Sequence, residues 1–302
     1  MKVTFLGTGG SYPTIRRNVT SHHVRVKGES LLFDCGEGTQ RQLQRSAAGF
    51  SAHRIFISHT HLDHVSGIPG YLGTLGLLRR AEPVRIYGPL GSRAYLQVLV
   101  GLAGGLDYNV ELQELDGGQV VESEGFRVIA ARVEHAGLCL GFRVEEDERR
   151  GSVDLEKAKA AGIAPGPSLG RLIDQGTIEL NGRTIRKEEI IGPSRPGRVV
   201  VYSGDTRPCR SLTDLARGAD LLIHEATFAN ELQAEAVSRA HSTAGEAAQT
   251  ARDARVKRLA LTHLSPRHQE MPDLILRDAR AIFPDCFVPD DLDSIEVPLS
   301  NG

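Results

Sequence analysis

The chain has 302 residues, with 36 lysines and arginines against 38 aspartates and glutamates, a net charge of −2 at neutral pH. Its 40% apolar and 25% charged content excludes a disordered or collagen-like chain, and no apolar run approaches the roughly 20 residues of a membrane span. With so little net charge, any nucleic-acid binding must come from a local basic patch.

The opening Met1–Gly7 holds too short an apolar stretch for a signal peptide, and four cysteines far apart in the chain read as reduced thiols of a cytoplasmic protein. The first strand, Val3-Thr4-Phe5-Leu6, runs into Gly7-Thr8-Gly9-Gly10, which lacks the G-x-G-x-x-G and following helix of a dinucleotide site. Ser30–Phe33 then leads into Asp34-Cys35-Gly36, and a helix is expected over 38–47. Arg54–Ser58 ends at His59, Arg127–Val133 reaches His135, and Val199–Ser203 ends at Gly204-Asp205. Leu221–Ile223 ends at His224-Glu225, and Leu259–Thr262 ends at His263. Short β-branched runs of this kind are strands buried on at least one face. Between the last three, 211–217 reads as a helix closed by Gly218. Another runs from Ser242 or Thr243, as N-cap, to about Ala254; Ser242 to Glu246 is one residue too long for a capping box. Strands alternating with helices make an α/β layer architecture.

The stretch from about 146 to 197 differs. It opens on the charge run 145–150, holds a short helix over 155–161 stopped by Gly162, and continues through Gly166-Pro167-Ser168-Leu169-Gly170. Asn181-Gly182, flanked by alternating residues, is a hairpin signal. Six basic side chains against four acidic ones lie between Arg171 and Arg198, giving a locally positive segment that reads as a protruding insertion in a single domain.

His59-Thr60-His61-Leu62-Asp63-His64 carries the chemistry. Three imidazoles and a carboxylate at one strand end would pay for desolvation unless they coordinate a cation. His135, Asp205 and His263 also follow strands, and strand ends of an α/β sandwich converge at one edge. Asp205, with two oxygens, is suited to bridge. The expected sets are His59, His61, His135 and Asp205 for one ion, and Asp63, His64, Asp205 and His263 for a second. Nitrogen and oxygen donors without thiolate suit two Zn²⁺, with Mn²⁺ or Co²⁺ as alternatives. Cys35, Cys139, Cys209 and Cys286 are too scattered to form a thiolate site or a disulfide frame.

The HTHLDH motif with a later His, Asp and His resembles the metallo-β-lactamase superfamily. Within it, residues 5–10, 202–207, 224–228, 240–243 and 261–267 resemble the ribonuclease Z family of tRNA 3′-processing endonucleases. The resemblance implies an αββα sandwich with an inserted arm that grips precursor tRNA. It also implies a homodimer whose arm presents tRNA to the partner's site. It casts Asp63 as general base and His241 as proton donor, with Glu225 orienting the His241 ring. His224 would be structural, and His22 could support the metal edge. Gly166 and Pro167 resemble the arm's glycine-proline motif, and Arg171, Arg183, Arg186 and Lys187 would contact RNA. Arg16, Arg17 and Asn18 belong to a loop resembling a Pro-x-Lys-x-Arg-Asn pattern that reads the tRNA 3′ end. Two positions depart from the family: Leu62 stands where Gly is usual, implying altered loop packing, and Ile15 replaces the Lys. A phosphodiesterase for small substrates would share every ligand, and only the arm separates it from the tRNA enzyme. A non-catalytic RNA-binding subunit would be expected to have lost ligands, and all seven are present.

Overall fold

The computed structural model describes residues 1–180, 182–268 and 271–299. Contacts divide the chain into two compact units, Met1–Glu145 with Arg198–Pro298, and a second containing Glu146–Gly197.

The strands of the first half are β1 (Lys2–Gly7), β2 (Ser21–Val26), β3 (Glu29–Phe33), β4 (Arg54–Phe56), β5 (Val84–Pro89), β6 (Val110–Leu115), β7 (Val120–Ser123), β8 (Phe126–His135) and β9 (Gly137–Glu146). They are followed by β10 (Thr177–Leu180), β11 (Arg183–Arg186), β12 (Val199–Tyr202), β13 (Leu221–Glu225), β14 (Leu259–Thr262), β15 (Cys286–Phe287) and β16 (Ser294–Glu296). The helices are α1 (Thr39–Arg45), α2 (Leu62–Val65), α3 (Ile68–Leu77), α4 (Arg93–Leu102), α5 (Leu155–Ala160), α6 (Pro167–Gln175), α7 (Arg210–Leu215), α8 (Gln233–Ser238), α9 (Ala244–Asp253) and α10 (Pro272–Arg280).

The first unit holds two seven-stranded sheets, in the orders β16-β1-β2-β3-β4-β5-β6 and β15-β14-β13-β12-β9-β8-β7. Strand alternation gives each sheet two apolar faces. Val3, Phe5, Phe33, Phe56, Phe142, Val200 and Tyr202 form the core between the sheets. Register places Phe33 beside Phe56 and Phe56 beside Tyr87, so the rings stack at 5.3 and 4.6 Å. On the outer face of the first sheet, Leu32, Ile55 and Ile86 pack with Leu43, Ile68, Leu72 and Leu96 from its helices. On the outer face of the second, Val201, Leu222 and Leu261 pack with Leu212, Ala248, Ala251 and Ile275. The small residues of α9 let that helix lie close on its sheet. The result is an αββα sandwich. No helix among the described residues is long and apolar enough to cross a membrane.

β12, β13 and β14 run parallel, with Tyr202 beside Ile223 and Glu225 beside Thr262, so their C-terminal ends line one edge. β3, β4 and β5 are likewise parallel in the other sheet. That geometry delivers the loops after β4, β12 and β14 together.

Three local details are set by the structure. The capping box of α9 starts at Thr243, not Ser242: the Thr243 hydroxyl accepts from the Glu246 amide, and the Glu246 carboxylate accepts from the Thr243 amide. Counting from Thr243 gives the three-residue spacing that counting from Ser242 missed. Leu62 needs no glycine backbone, because it is not among the positive-φ residues and its side chain is exposed as the first residue of α2. In the Gly166–Gly170 stretch, Gly166, at φ +141°, caps α6, and Pro167 occupies its first turn, where a missing N–H costs nothing.

The second unit has its own small core of Ala158, Ile163, Leu169, Leu172, Ile185 and Ile190. Asp154 caps α5 through bonds from the Glu156 and Lys157 amides. β10 and β11 pair antiparallel from Thr177 opposite Arg186 to Leu180 opposite Arg183. Asn181, half of the expected turn, lies outside the described residues; Gly182 has φ +75°. Arg149 and Arg195 bridge where the chain enters and leaves.

Candidate metal centre

Seven side chains named from the sequence meet at the edge where the strands end. One ligand atom each from His59, His61, His135 and Asp205 lie within 4.8 Å of one another, and so do those of Asp63, His64 and His263. Within the first set, His59 Nε2 is 2.9 Å from His61 Nδ1 and 3.6 Å from Asp205 Oδ2, and His135 Nε2 is 3.4 Å from His61 Nδ1. Within the second, His263 Nε2 lies 3.3 Å from Asp63 Oδ2 and 3.3 Å from His64 Nε2. Asp205 Oδ2 touches both sets, at 3.3 Å from His64 and 3.3 Å from His263.

Partners behind the imidazoles decide which nitrogens face the cluster. His64 Nδ1 is 2.8 Å from Asp34 Oδ2, and His135 Nδ1 is 2.8 Å from the Ala240 carbonyl. Both oxygens only accept, so in the neutral form that metal binding requires each Nδ1 carries its ring's proton and each Nε2 is left as a lone pair. His59 Nδ1 is 3.0 Å from Ser58 Oγ, whose own proton goes to Asp34 at 2.8 Å, which leaves His59 Nε2 unprotonated too. Asp205 Oδ1 is buried with no hydrogen-bond partner among the described residues. Converging lone pairs beside an orphaned carboxylate oxygen are what divalent cations would satisfy, so the donor set fits the metals that the sequence implied.

Charge coupling within the cluster is strong. Burial pushes the His59 pKa well down, with His64 adding to it, and burial and His135 lower that of His61. Burial opposes the charge on His64, but Asp205, Asp34 and Asp63 outweigh it and raise its pKa well above the usual range. Burial also works against ionised Asp63 and Asp205, and there the neighbouring imidazoles win: His64 and His263 hold both carboxyls below the ordinary value.

His241 stands beside this cluster, its ring 4.9 Å from that of His135 and its Nδ1 3.9 Å from Asp205 Oδ2. Its Nδ1 also lies 2.9 Å from Glu225 Oε1. Burial disfavours its cation, but Glu225 more than compensates and lifts its pKa to about 9. Backbone supports are tight. Asp34, Ala240 and His263 all have φ near +55 to +58°, a conformation that costs non-glycine residues free energy. A Cβ on Gly10 would come within 2.5 Å of the His263 ring, so that position has room only for glycine.

Several of these partners lie outside the HTHLDH motif and the later ligand residues. Asp34 is fully buried and accepts from the Ser58 amide (2.7 Å), Ser58 Oγ, His64 Nδ1 and the Tyr202 hydroxyl (2.6 Å). The signal was there: Asp34 ends a strand run just as His59 and Asp205 do. Tyr202, Ser58 and Thr227 carried no such mark.

The 13–18 loop divides. Arg16 and Asn18 line a cavity of about 710 Å³ together with Arg41 and Arg45, and Ile15 is fully exposed at its rim. Arg17 does not face this cavity. Its guanidinium is buried and donates to Thr8 Oγ1 (2.6 Å), the Pro289 carbonyl (2.6 Å) and Asp290 (2.7 Å), so it fixes the loop and is withdrawn from any phosphate. Arg171, Arg183, Arg186 and Lys187 are exposed in the second unit, as are Gly166 and Pro167; Arg183 pairs with Glu189 at 2.9 Å. His22 is wholly buried edge-on to Phe5 and Tyr202, where burial drives its pKa to about 3. His224 is a packing residue, its Nδ1 turned to the Glu225 carbonyl. All four cysteines are free thiols.

Two family descriptions match parts of the chain: anti-Pycsar protein Apyc1 over residues 1–137, and β-lactamase superfamily domain over 188–264. Ribonuclease Z of Methanosarcina acetivorans is 44% identical over 300 residues, spanning 99% of this chain and 98% of its own length. The chain belongs to the ribonuclease Z family. Ribonuclease Z of Myxococcus xanthus is also 44% identical, over 93% of this chain and 92% of its own. The crystal structure of human tRNase Z, short form, superposes with a TM-score of 0.72 at 29% identity, covering 99% of this chain and all of that one. The metallo-β-lactamase fold protein YhfI of Bacillus subtilis, 20% identical with a TM-score of 0.71, shares the fold.

Proposed function

We propose that this chain removes the 3′ trailer from precursor tRNA as a metal-dependent endoribonuclease. The observation that carries the reading is the pair of donor sets joined through Asp205, with His241 beside them, in a chain of the ribonuclease Z family. His59, His61, His135 and Asp205 would hold one divalent ion, and Asp63, His64, Asp205 and His263 the other. When bound, such ions neutralise phosphodiester oxygens and lower the pKa of water toward ~7. The nitrogen and oxygen donors favour Zn²⁺.

Asp63, which accepts a 2.7 Å bond from the Ser11 amide, would take a proton from the attacking water. Water's oxygen bonds to phosphorus and the bond to the tRNA 3′-oxygen breaks. His241, held as a cation by Glu225, gives that oxygen its proton. The products are a tRNA 3′-hydroxyl and a 5′-phosphorylated trailer. Arg16 and Asn18 receive the RNA end at their cavity, and Arg171, Arg183, Arg186 and Lys187, with Gly166 and Pro167, form a tRNA-gripping exosite. The enzyme works as a homodimer in the cytoplasm.

The test is to incubate the purified protein with precursor tRNAs lacking and bearing CCA and to map the new 3′ ends. Cleavage next to the discriminator position is expected. His61→Ala and Asp205→Ala should abolish it and lower bound metal, whereas His241→Ala should keep the metal and lose ~10²–10⁴ in rate. Wild-type rates in the first two variants would remove the site assignment.

A further inference from the structure

Thr227, two residues beyond the end of β13, is buried, and three groups meet at its hydroxyl. Its Oγ1 is 2.7 Å from Glu225 Oε2, 2.9 Å from His263 Nδ1 and 3.4 Å from His241 Nδ1. A hydroxyl has one proton to give. Glu225 is saturated with donors: Oε1 takes His241 Nδ1 and the Thr206 amide, each at 2.9 Å, and Oε2 takes the Thr227 amide at 3.2 Å. A carboxylate so placed only accepts, so the Thr227 proton goes to Oε2. The oxygen of Thr227 then accepts from His263 Nδ1, and the ring's lone pair is left on Nε2, the nitrogen that faces Asp63, Asp205 and His64.

We propose that Thr227 is a positioning residue that ties the metal ligand His263 to the same carboxylate that holds the proton donor His241. Glu225 thereby orients two imidazoles with opposite duties, one directly and one through a hydroxyl. This rests on the metal-dependent reading above and assigns its second donor set a support from within the 224–228 segment. The position is specific to hydrogen-bond direction: valine has the same shape but neither takes the His263 proton nor gives one to Glu225. With that support gone, His263 is free to rotate or to move its proton to Nε2, which removes a donor from the Asp63–His64–His263 set alone. Serine keeps the hydroxyl.

The experiment is calorimetric titration of the metal-free full-length chain with Co²⁺. Wild type should show two binding steps. Thr227→Val should retain one at wild-type affinity and weaken the other about 10–100-fold, and Thr227→Ser should restore both. A valine variant that binds both ions like wild type, or that loses both equally, overturns the inference alone. A wild-type chain that binds fewer than two ions overturns it together with the proposed function. If circular dichroism shows that Thr227→Val does not fold, the nitrogen-15 shifts of His263 in Zn²⁺-loaded wild type decide the matter. A proton on Nδ1 supports the arrangement; one on Nε2 refutes it.

Discussion

Arg17 shows how a residue type can mislead when its surroundings are unknown. An arginine in a basic loop of an RNA-processing enzyme invites a phosphate, yet this guanidinium is enclosed by Thr8, Pro289 and Asp290. Its work is to hold the 13–18 loop against the 289–291 segment. Arg17→Ala should therefore lower stability by about 1–3 kcal/mol, the cost of stranding buried acceptors, read as a drop in Tm. The salt dependence of tRNA binding should stay as in wild type, since no phosphate contact is lost; a shallower slope would return Arg17 to the RNA interface. The candidate metal-binding cluster was legible for the opposite reason. Four ligand-type side chains in six residues after a strand have no cheaper explanation than a cation, whereas burial of a lone arginine depends on segments more than 270 residues away.

At the level of single elements, α9 links stability to the site. Its capping-box residue Glu246 also receives Arg207, and Arg207 Nη1 donates to the His241 carbonyl. The helix N-terminus thus helps set the loop that carries His241. Thr243→Ala should cost about 1 kcal/mol, measurable by urea denaturation, and Thr243→Ser should recover most of it. An unchanged midpoint in the alanine variant would mean that Arg207 alone fixes this turn. Strands that end in a ligand were readable because a β-branched run stops at a polar residue. The stretch from 65 to 126 gave no such stop, and β5, α3 and α4 went unread: α3 is apolar nearly all round, a pattern that does not distinguish a buried helix from a strand.

For the whole molecule, the sequence marked the 146–197 stretch as different by its charge run and turn chemistry. It did not disclose that the stretch closes a core of its own, because six buried residues scattered over 33 positions make no visible period. The bridge between Arg149 and Arg195 brings the segment's ends together, so residues 150–194 can be replaced by a short Gly-Ser linker without stretching the chain. That variant should still hydrolyse bis-p-nitrophenyl phosphate at a rate near wild type while KM for precursor tRNA rises. An unchanged KM for tRNA would exclude this unit as the RNA-gripping surface.

The donors are shared between the two sheets: His59, His61, Asp63 and His64 follow β4 of one, and His135, Asp205 and His263 end β8, β12 and β14 of the other. The reactive centre is therefore a seam. A half-assembled sandwich, or one whose layers had slid by a single residue, would present two incomplete claws with little grip on either ion. Only a chain with both layers in register offers the complete set of donors, so metal binding at this seam would report on correct folding.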